Sequence, residues 1–133
     1  MSRVELVRPT SLDPSVPYAY ASVVEPGSLV FTAGACPLDD AGEVVHPGDV
    51  AGQAEQVMAN LVTALGATGC TLADVAKSTV YVASDRRDDL VAAWQVVRAG
   101  FGDHDAPSTL LGVAALGFPG QLVEVEAVAV APR

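Results

Sequence analysis

The last segment of the chain, residues 122–131, constrains the fold more than any other part of the sequence. Small apolar residues at Val123, Val125, Ala127 and Ala129 alternate with Leu122, Glu124, Glu126, Val128 and Val130. Successive side chains of a β-strand point to opposite faces of its sheet, so the alternation predicts a strand with two unlike faces. The small apolar face suits packing beneath helices, whereas the other face mixes two carboxylates with branched aliphatic side chains.

Two segments with helical periodicity would supply the covering layer. Asp49 is a candidate N-cap for the first helix, which Gly66 and Gly69 are predicted to end. Its apolar face comprises Val50, Ala54, Val57, Met58, Leu61, Val62 and Leu65. The second helix is predicted to start within residues 84–89, where acidic side chains favour the helix dipole. Its buried stripe comprises Leu90, Ala93, Trp94, Val97 and Phe101.

Short β-rich segments surround these helices and complete the predicted order β-β-β-α-β-α-β-β. They cover residues 3–7, 20–24, 28–33, 75–83 and 109–115, before the final strand. The turn signal Glu25-Pro26-Gly27 predicts a hairpin between the second and third strands. The order predicts an α+β fold, a two-layer sandwich with two helices on one face of a sheet. With 133 residues, the chain is expected to form a single domain, residues 1–133.

The charge balance limits the classes of molecule that the protein is expected to bind. Seven Lys and Arg stand against sixteen Asp and Glu, and Lys77 is the only lysine. Such a chain lacks the cations that nucleic acids or anionic membrane surfaces require, so neither is expected as a partner. No apolar run approaches membrane-spanning length and no signal-peptide pattern opens the sequence, which together predict a cytoplasmic protein.

Cysteine and histidine are scarce and give no metal-binding spacing, so no metal is expected. Cys36 and Cys70 are expected to be free thiols. Cys36 follows Gly34 closely, which admits an interpretation as a nucleophile. Because no histidine is demonstrably near, a structural thiol is favoured.

The carboxylate-bearing face of the last strand has two explanations. A second copy of the sheet would cover Val128 and Val130, which makes a homo-oligomer the first hypothesis. An exposed strand end decorated with acids is the alternative. Ser108 and Thr109 lie at a loop-to-strand junction, where they would either contact a ligand or cap the local backbone.

The order of elements and several motifs resemble the Rid family, the reactive-intermediate deaminases of RidA/YjgF type. The ending Leu122-Val123-Glu124-Val125-Glu126-Ala127-Val128-Ala129 is the most specific match. Further matches are Pro17-Tyr18, Val30-Phe31-Thr32-Ala33-Gly34 with Pro37, Gly42-Glu43-Val44, Gln56 with Asn60-Leu61, Ala73-Asp74-Val75 and Asp88-Asp89-Leu90. The similarity extends over essentially the whole chain.

The resemblance implies a chorismate-mutase-like α+β fold and a homotrimer whose three sheets pack around a central barrel. Small-molecule sites would then lie in clefts between subunits. RidA-type members hydrolyse enamine and imine intermediates, such as 2-aminoacrylate, and release ammonia and a 2-keto acid. The resemblance implies that no cofactor takes part.

The sequence departs from the family pattern at the position that binds the substrate carboxylate. RidA-type enzymes read Pro-Ala-Arg where this chain has Ala106-Pro107-Ser108, and Trp94 replaces an asparagine typical of the second helix. Loss of the guanidinium costs about 1.5–3 kcal/mol of carboxylate binding. Lys77, Arg86, Arg87 and Arg98 are alternative cations, for which solvated or ion-paired surface positions are favoured. A substrate other than standard 2-aminoacrylate is therefore expected.

The resemblance also implies a set of site residues. Glu124 and Tyr18 would be catalytic, with Glu124 positioning water or moving protons. The expected substrate-binding residues are Gly34, Ala35, Cys36, Trp94, Ser108 and Thr109. An imine or enamine deaminase is the leading hypothesis. A non-catalytic metabolite-binding homologue is one alternative, and a biosynthetic enzyme that uses the same cleft for proton transfer, cyclisation or condensation is another.

Overall fold

The computed structural model describes residues 3–132. The strands are β1 (Val4–Val7), β2 (Ala21–Val24), β3 (Ser28–Phe31), β4 (Val75–Val82), β5 (Ser108–Gly112) and β6 (Val123–Ala131). The helices are α1 (Val50–Gly66) and α2 (Arg87–Phe101), with a short 3₁₀ turn at Leu72–Asp74. The element order is the one the sequence predicts, and the fold is α+β.

Four strands form the main sheet, in the order β3-β6-β4-β5. Strand β6 runs antiparallel to both neighbours, whereas β5 runs parallel to β4. Parallel neighbours need a crossover connection, and α2 provides it between β4 and β5. The result is a mixed sheet with β6, the strand that carries Glu124, near its centre.

The predicted hairpin between the second and third strands is wrong. Strand β2 pairs with β1 in a separate two-stranded sheet, and β3 pairs with β6. Pairing with β6 lets β3 extend the main sheet and pack Val30 against the core. A local turn signal could not reveal this because the pairing joins segments about a hundred residues apart.

The limits of other elements also differ from the predictions. Strand β5 ends at Gly112 rather than at residue 115. A Cβ at Gly112 would lie 2.6 Å from the Ser84 carbonyl oxygen, because the two strand ends approach closely there. Helix α2 begins at Arg87, within the predicted start region of residues 84–89.

The helices present the predicted faces with one exception. The Asp49 side chain accepts the Gly52 N–H at 3.0 Å, which confirms the N-cap. Val62 is 48% exposed, so its place on the buried face was wrong. The hydrophobic core lies between the two helices and one face of the main sheet, and Leu90 and Trp94 of α2 pack at its edge. The fully buried residues of this core include Leu61, Leu65, Val80, Val97, Val123 and Val125.

The helices leave the opposite face of the main sheet uncovered. We call this uncovered surface the open face. Strand register and exposure place these residues on it: Phe31, Lys77, Thr79, Tyr81, Thr109, Leu111, Glu124, Glu126 and Val128. Phe31 is 72% exposed at one edge and Leu111 is 42% exposed at the other. Val130 shares the strand pattern but is buried beside Gly27 and Arg3, so the chain itself covers that end. Within residues 3–132 no helix has the length and apolarity to cross a membrane.

Candidate functional site

Glu124 lies on the open face beside the segment that follows β3. Ala35 and Val125 form an antiparallel bridge, in which the Ala35 N–H donates to the Val125 carbonyl at 2.7 Å. The Val125 N–H donates back to the Ala35 carbonyl at 3.2 Å. This bridge holds Gly34 and Cys36 next to Glu124 and occupies both backbone polar groups of Ala35.

Gly34 packs directly against the Glu124 side chain. A Cβ at this position would overlap the carboxyl group, so the close approach requires a residue without a side chain. The predicted grouping of Gly34, Ala35, Cys36 and Glu124 is therefore present in the structure.

Within residues 3–132, hydrogen bonds hold one carboxylate oxygen of Glu124, Oε1, but not the other, Oε2. The Cys36 thiol donates to Glu124 Oε1 at 3.3 Å, and Gln121 Nε2 donates to the same oxygen at 3.1 Å. Glu124 Oε2 accepts no hydrogen bond from the residues that the structure describes. The carboxylate is thus fixed in orientation while one oxygen stays available to a water molecule or a ligand.

The environment of Cys36 favours the protonated thiol. Burial, and secondarily the hydrogen bond to Glu124, raise the pKa of Cys36 to about 11. Because a nucleophilic cysteine needs a lowered pKa, this geometry supports the structural interpretation of the thiol. Cys70 is buried in the core, and both cysteines are free, as expected.

Gln121 is a site residue that the sequence interpretation missed. It is buried, and its Nε2 donates to the Val123 carbonyl as well as to Glu124. Gln53, which α1 buries completely, holds the same loop, because its Oε1 accepts the Leu122 N–H at 2.8 Å and its Nε2 donates to the Gly120 carbonyl at 3.1 Å. Both glutamines interrupt apolar patterns, and that interruption is the one signal that marks them in the sequence.

Tyr81 forms a second polar pair on the open face. Its hydroxyl donates to Glu126 Oε1 at 2.5 Å, and Tyr81 lies opposite Glu124 in the β4–β6 register. The hydrogen bond to Glu126, followed by burial, raises the pKa of Tyr81. Its position was visible in the alternation of β4, but its partner was not.

Tyr18 and Trp94 lie together in a different part of the chain. Their rings meet edge to face with centroids 6.4 Å apart, and Tyr20 packs on Tyr18 at 6.0 Å. Within residues 3–132, the hydrogen-bond partners of Glu124 are Cys36 and Gln121, and neither aromatic residue is among them. Within one chain, then, the structure does not bring these two predicted site residues to the carboxylate.

The hydroxyls of Ser108 and Thr109 are already engaged. Ser108 Oγ shares a short hydrogen bond with Ser78 Oγ, and Thr109 Oγ1 accepts from Lys77 Nζ at 2.6 Å. Arg98 pairs with Asp105 at 3.2 Å, as the surface interpretation expected. At the position of the family arginine, therefore, stands a neutral hydroxyl with a partner of its own.

The fold and the held carboxylate define the class of protein: a two-layer α+β protein with a glutamate presented on an open sheet face. Residues 10–131 match the family described as Endoribonuclease L-PSP, and the chain belongs to this family, which includes the Rid/YjgF proteins.

Named relatives cover nearly the full chain. The 2-iminobutanoate/2-iminopropanoate deaminase of Rattus norvegicus is 30% identical over 97% of this chain and 92% of its own length. Protein DfrA of Myxococcus xanthus is 33% identical over 86% of this chain and 85% of its own. The crystal structure of YyfB from Yersinia pestis, a protein of the conserved Rid family, superposes with a TM-score of 0.90 at 32% identity, covering 96% of this chain and 98% of its own.

Metal ligation was not expected from the sequence. Among residues 3–132, no cluster of three or more His, Cys, Asp or Glu side chains is placed to hold a metal ion.

Proposed function

We propose that this protein hydrolyses an imine or enamine whose recognition does not depend on a carboxylate. The observation that carries the proposal is Glu124, fixed through Oε1 by Cys36 and Gln121 while Oε2 stays free above Gly34. The imine deaminase among the relatives supports the reaction class.

In this reaction, Glu124 moves protons and positions water. An enamine first becomes an imine when its carbon takes up a proton and its nitrogen gives one up. Glu124 Oε2 then accepts a proton as water adds to the C=N carbon, and the carboxyl group returns that proton to nitrogen. The hydroxyl proton of the resulting carbinolamine then passes through Glu124 to the nitrogen, and ammonia leaves as the carbonyl forms. One water is consumed, and no oxidant or cofactor is needed.

We propose further that the site is completed in a homotrimer. Tyr18 and Trp94 pack against each other, and neither is hydrogen-bonded to Glu124 within residues 3–132. The open face also leaves Phe31 and Leu111 exposed. Packing of three open faces around a central barrel would cover these side chains, and the aromatic pair of one subunit would then face Glu124 of the next. Tyr18 would act there in catalysis and Trp94 in substrate binding.

The choice of substrate depends on the neutral residues that stand near the position of the arginine: Thr109 lies on the open face with Glu124, whereas the Ser108 hydroxyl pairs with the fully buried Ser78 on the helix-covered face. A hydroxyl that is already hydrogen-bonded cannot replace the bidentate contact of a guanidinium with a carboxylate. The substrate would instead lack the carboxylate or rest a bulkier body on Trp94.

The same loss of the arginine favours one other function, a non-catalytic module that binds metabolites in the same clefts. A biosynthetic enzyme with different proton-transfer chemistry remains the third hypothesis. Thermal-shift screening against keto acids and amines separates the binding module from the hydrolase, because a binding module gives hits without turnover.

Ammonia release from enzymatically generated imines tests the proposed substrate range. We expect faster release from carboxylate-free imines than from 2-iminopropanoate. Thr109→Arg, which adds a guanidinium on the open face, should raise kcat/KM for 2-iminopropanoate by about tenfold to a hundredfold, while the matched Thr109→Ala should not. Equal preference in the wild type, with no gain in Thr109→Arg, would contradict the role assigned to the missing arginine.

A further inference from the structure

Tyr18 lies in a long connection that has no regular secondary structure. Residues 8–20 join β1 to β2 and form neither helix nor strand. Regular hydrogen-bond ladders, which hold the residues of a helix or sheet in place, therefore do not fix Tyr18. Connecting segments are the more mobile parts of a fold unless other contacts anchor them. The contacts that anchor this connection decide where the Tyr18 ring lies.

Asp105, in the loop before β5, anchors the connection at several points. Arg8 Nη2 donates to Asp105 Oδ2 at 3.1 Å, and Arg8 Nη1 donates to the Val16 carbonyl at 3.2 Å. The Ala19 N–H donates to the backbone carbonyl of Asp105 at 2.8 Å. The anchoring contacts on both sides of Tyr18 thus lead to the same residue.

Asp105 also binds the helix that carries Trp94. Arg98 lies about one turn after Trp94 on α2, and its Nε and Nη2 donate to the two carboxylate oxygens of Asp105 at 3.2 and 3.4 Å. Hydrogen bonds between ionised groups are stronger than neutral ones, and the Asp105 side chain is only 19% exposed, which strengthens them further. One carboxylate therefore joins the Tyr18 connection to α2.

We infer that Asp105 is a positioning residue whose carboxylate fixes Tyr18 against Trp94. The two rings lie edge to face with centroids 6.4 Å apart. The inference rests on the proposed function, in which this aromatic pair faces Glu124 of the next subunit. A misplacement of about 1 Å in a site can lower a rate by about a hundredfold, so the anchoring of Tyr18 bears on turnover.

Asp105→Asn separates the carboxylate from the rest of the residue. Asparagine keeps the size of the side chain and the backbone carbonyl that holds Ala19. Loss of the negative charge leaves the Arg8 and Arg98 guanidinium groups close together without a counter-ion, and their repulsion favours release of Arg8 into solvent. The connection then loosens, and Tyr18 no longer covers the edge of the Trp94 ring.

Trp94 is the only tryptophan of the chain, so its fluorescence reports this contact without any substrate. We expect Asp105→Asn to shift the Trp94 emission to the red and to increase its quenching by acrylamide, in the same direction as Tyr18→Ala. Asp103→Asn removes the same charge at an exposed neighbouring position and should leave the emission unchanged. Unchanged emission in Asp105→Asn would overturn the inference.

Arg8→Met tests the other end of the network. It breaks the anchor on the Tyr18 connection and leaves the pair between Arg98 and Asp105 intact, so it should shift the Trp94 emission as Asp105→Asn does. Arg8→Lys can still pair with Asp105 through its single nitrogen and should stay closer to the wild type. Wild-type emission in Arg8→Met would refute the inference. So would a changed mass of Asp105→Asn in light scattering, which would make Asp105 an interface residue.

Turnover connects the position of Tyr18 to the proposed reaction. We expect Asp105→Asn to lower kcat by about tenfold in the wild type, but to lower it no further in Tyr18→Phe, which lacks the hydroxyl. The same loss in both backgrounds would contradict the inference, because Asp105 would then act independently of Tyr18. Absence of turnover in the wild type would contradict the proposed function alone, and the Trp94 emission would still decide whether Asp105 positions Tyr18.

Discussion

At the residue scale, the geometry of Glu124 depends on a neighbour that has no side chain. Gly34 lets the carboxyl group lie against the backbone, where Cys36 and Gln121 hold Oε1. The sequence motif around Gly34 and the glutamate in β6 were both recognisable. The contact between them was not, because it joins segments 90 residues apart in the chain.

Gly34→Ala should impair catalysis without unfolding the protein. The new Cβ would displace the flexible Glu124 side chain rather than backbone, so we expect turnover to fall while the melting temperature changes little. Gly66→Ala is the matched control, because open space surrounds that position at the end of α1. Full activity in Gly34→Ala would show that the close packing does not serve the reaction.

The Cys36 thiol should react slowly with iodoacetamide at neutral pH. A rise in pKa from 9.0 to about 11 leaves about a hundredfold less thiolate below pH 9, and alkylation slows in proportion. The rate should keep increasing with pH until about pH 11, because the thiol loses its proton only there. Cys36→Ser serves as the control for labelling of Cys70, and a rate midpoint near pH 8.5–9 would refute the environment assigned to Cys36.

At the scale of elements, periodicity predicted the helices better than it predicted strand pairing. The apolar spacing that defines α1 and α2 is local, and so is the Asp49 cap. Pairing of β3 with β6 depends on which segments meet in the compact chain, and a turn signal beside β2 gave the wrong partner. Gln53 was missed for the same reason, because it holds backbone groups of a loop 67 and 69 residues away. The partners of Gln121 lie only two and three residues away, but they are set by the path of the loop into β6.

Gln53→Leu should destabilise the protein and loosen the loop before β6. The substitution leaves the Leu122 N–H and the Gly120 carbonyl without their side-chain partner, at an expected cost of about 2–4 kcal/mol in the free energy of unfolding. Gln95→Leu, at an exposed position on α2, is the control and should cost much less. Urea denaturation measures both, and equal stabilities would mean that the loop does not depend on Gln53.

At the scale of the whole molecule, the open face is the side of the main sheet that the helices of the same chain leave uncovered. It combines exposed apolar side chains at its edges with the polar pairs of its centre. Its composition was predicted from the alternation of β6, and a covering partner followed as a hypothesis. A homotrimer that covers this face is the assembly we propose.

Phe31→Lys should disrupt the proposed trimer. Phe31 is 72% exposed on the open face, and a lysine there would place three charges inside the barrel. Light scattering should give about three times 13.6 kDa for the wild type and a smaller mass for the variant. Val62→Lys changes an exposed apolar residue on the helical side and should leave the mass unchanged, and a monomeric wild type would contradict the proposed assembly.

The most direct measurement compares ammonia release from a carboxylate-free imine by the wild type and by Glu124→Gln. Glutamine keeps the size of the side chain but cannot accept a proton, so we expect turnover to fall by about a hundredfold or more. Glu55→Gln, at an exposed position of α1, should match the wild type. Turnover by Glu124→Gln within about twofold of the wild type, or no turnover by the wild type itself, would contradict catalysis by Glu124.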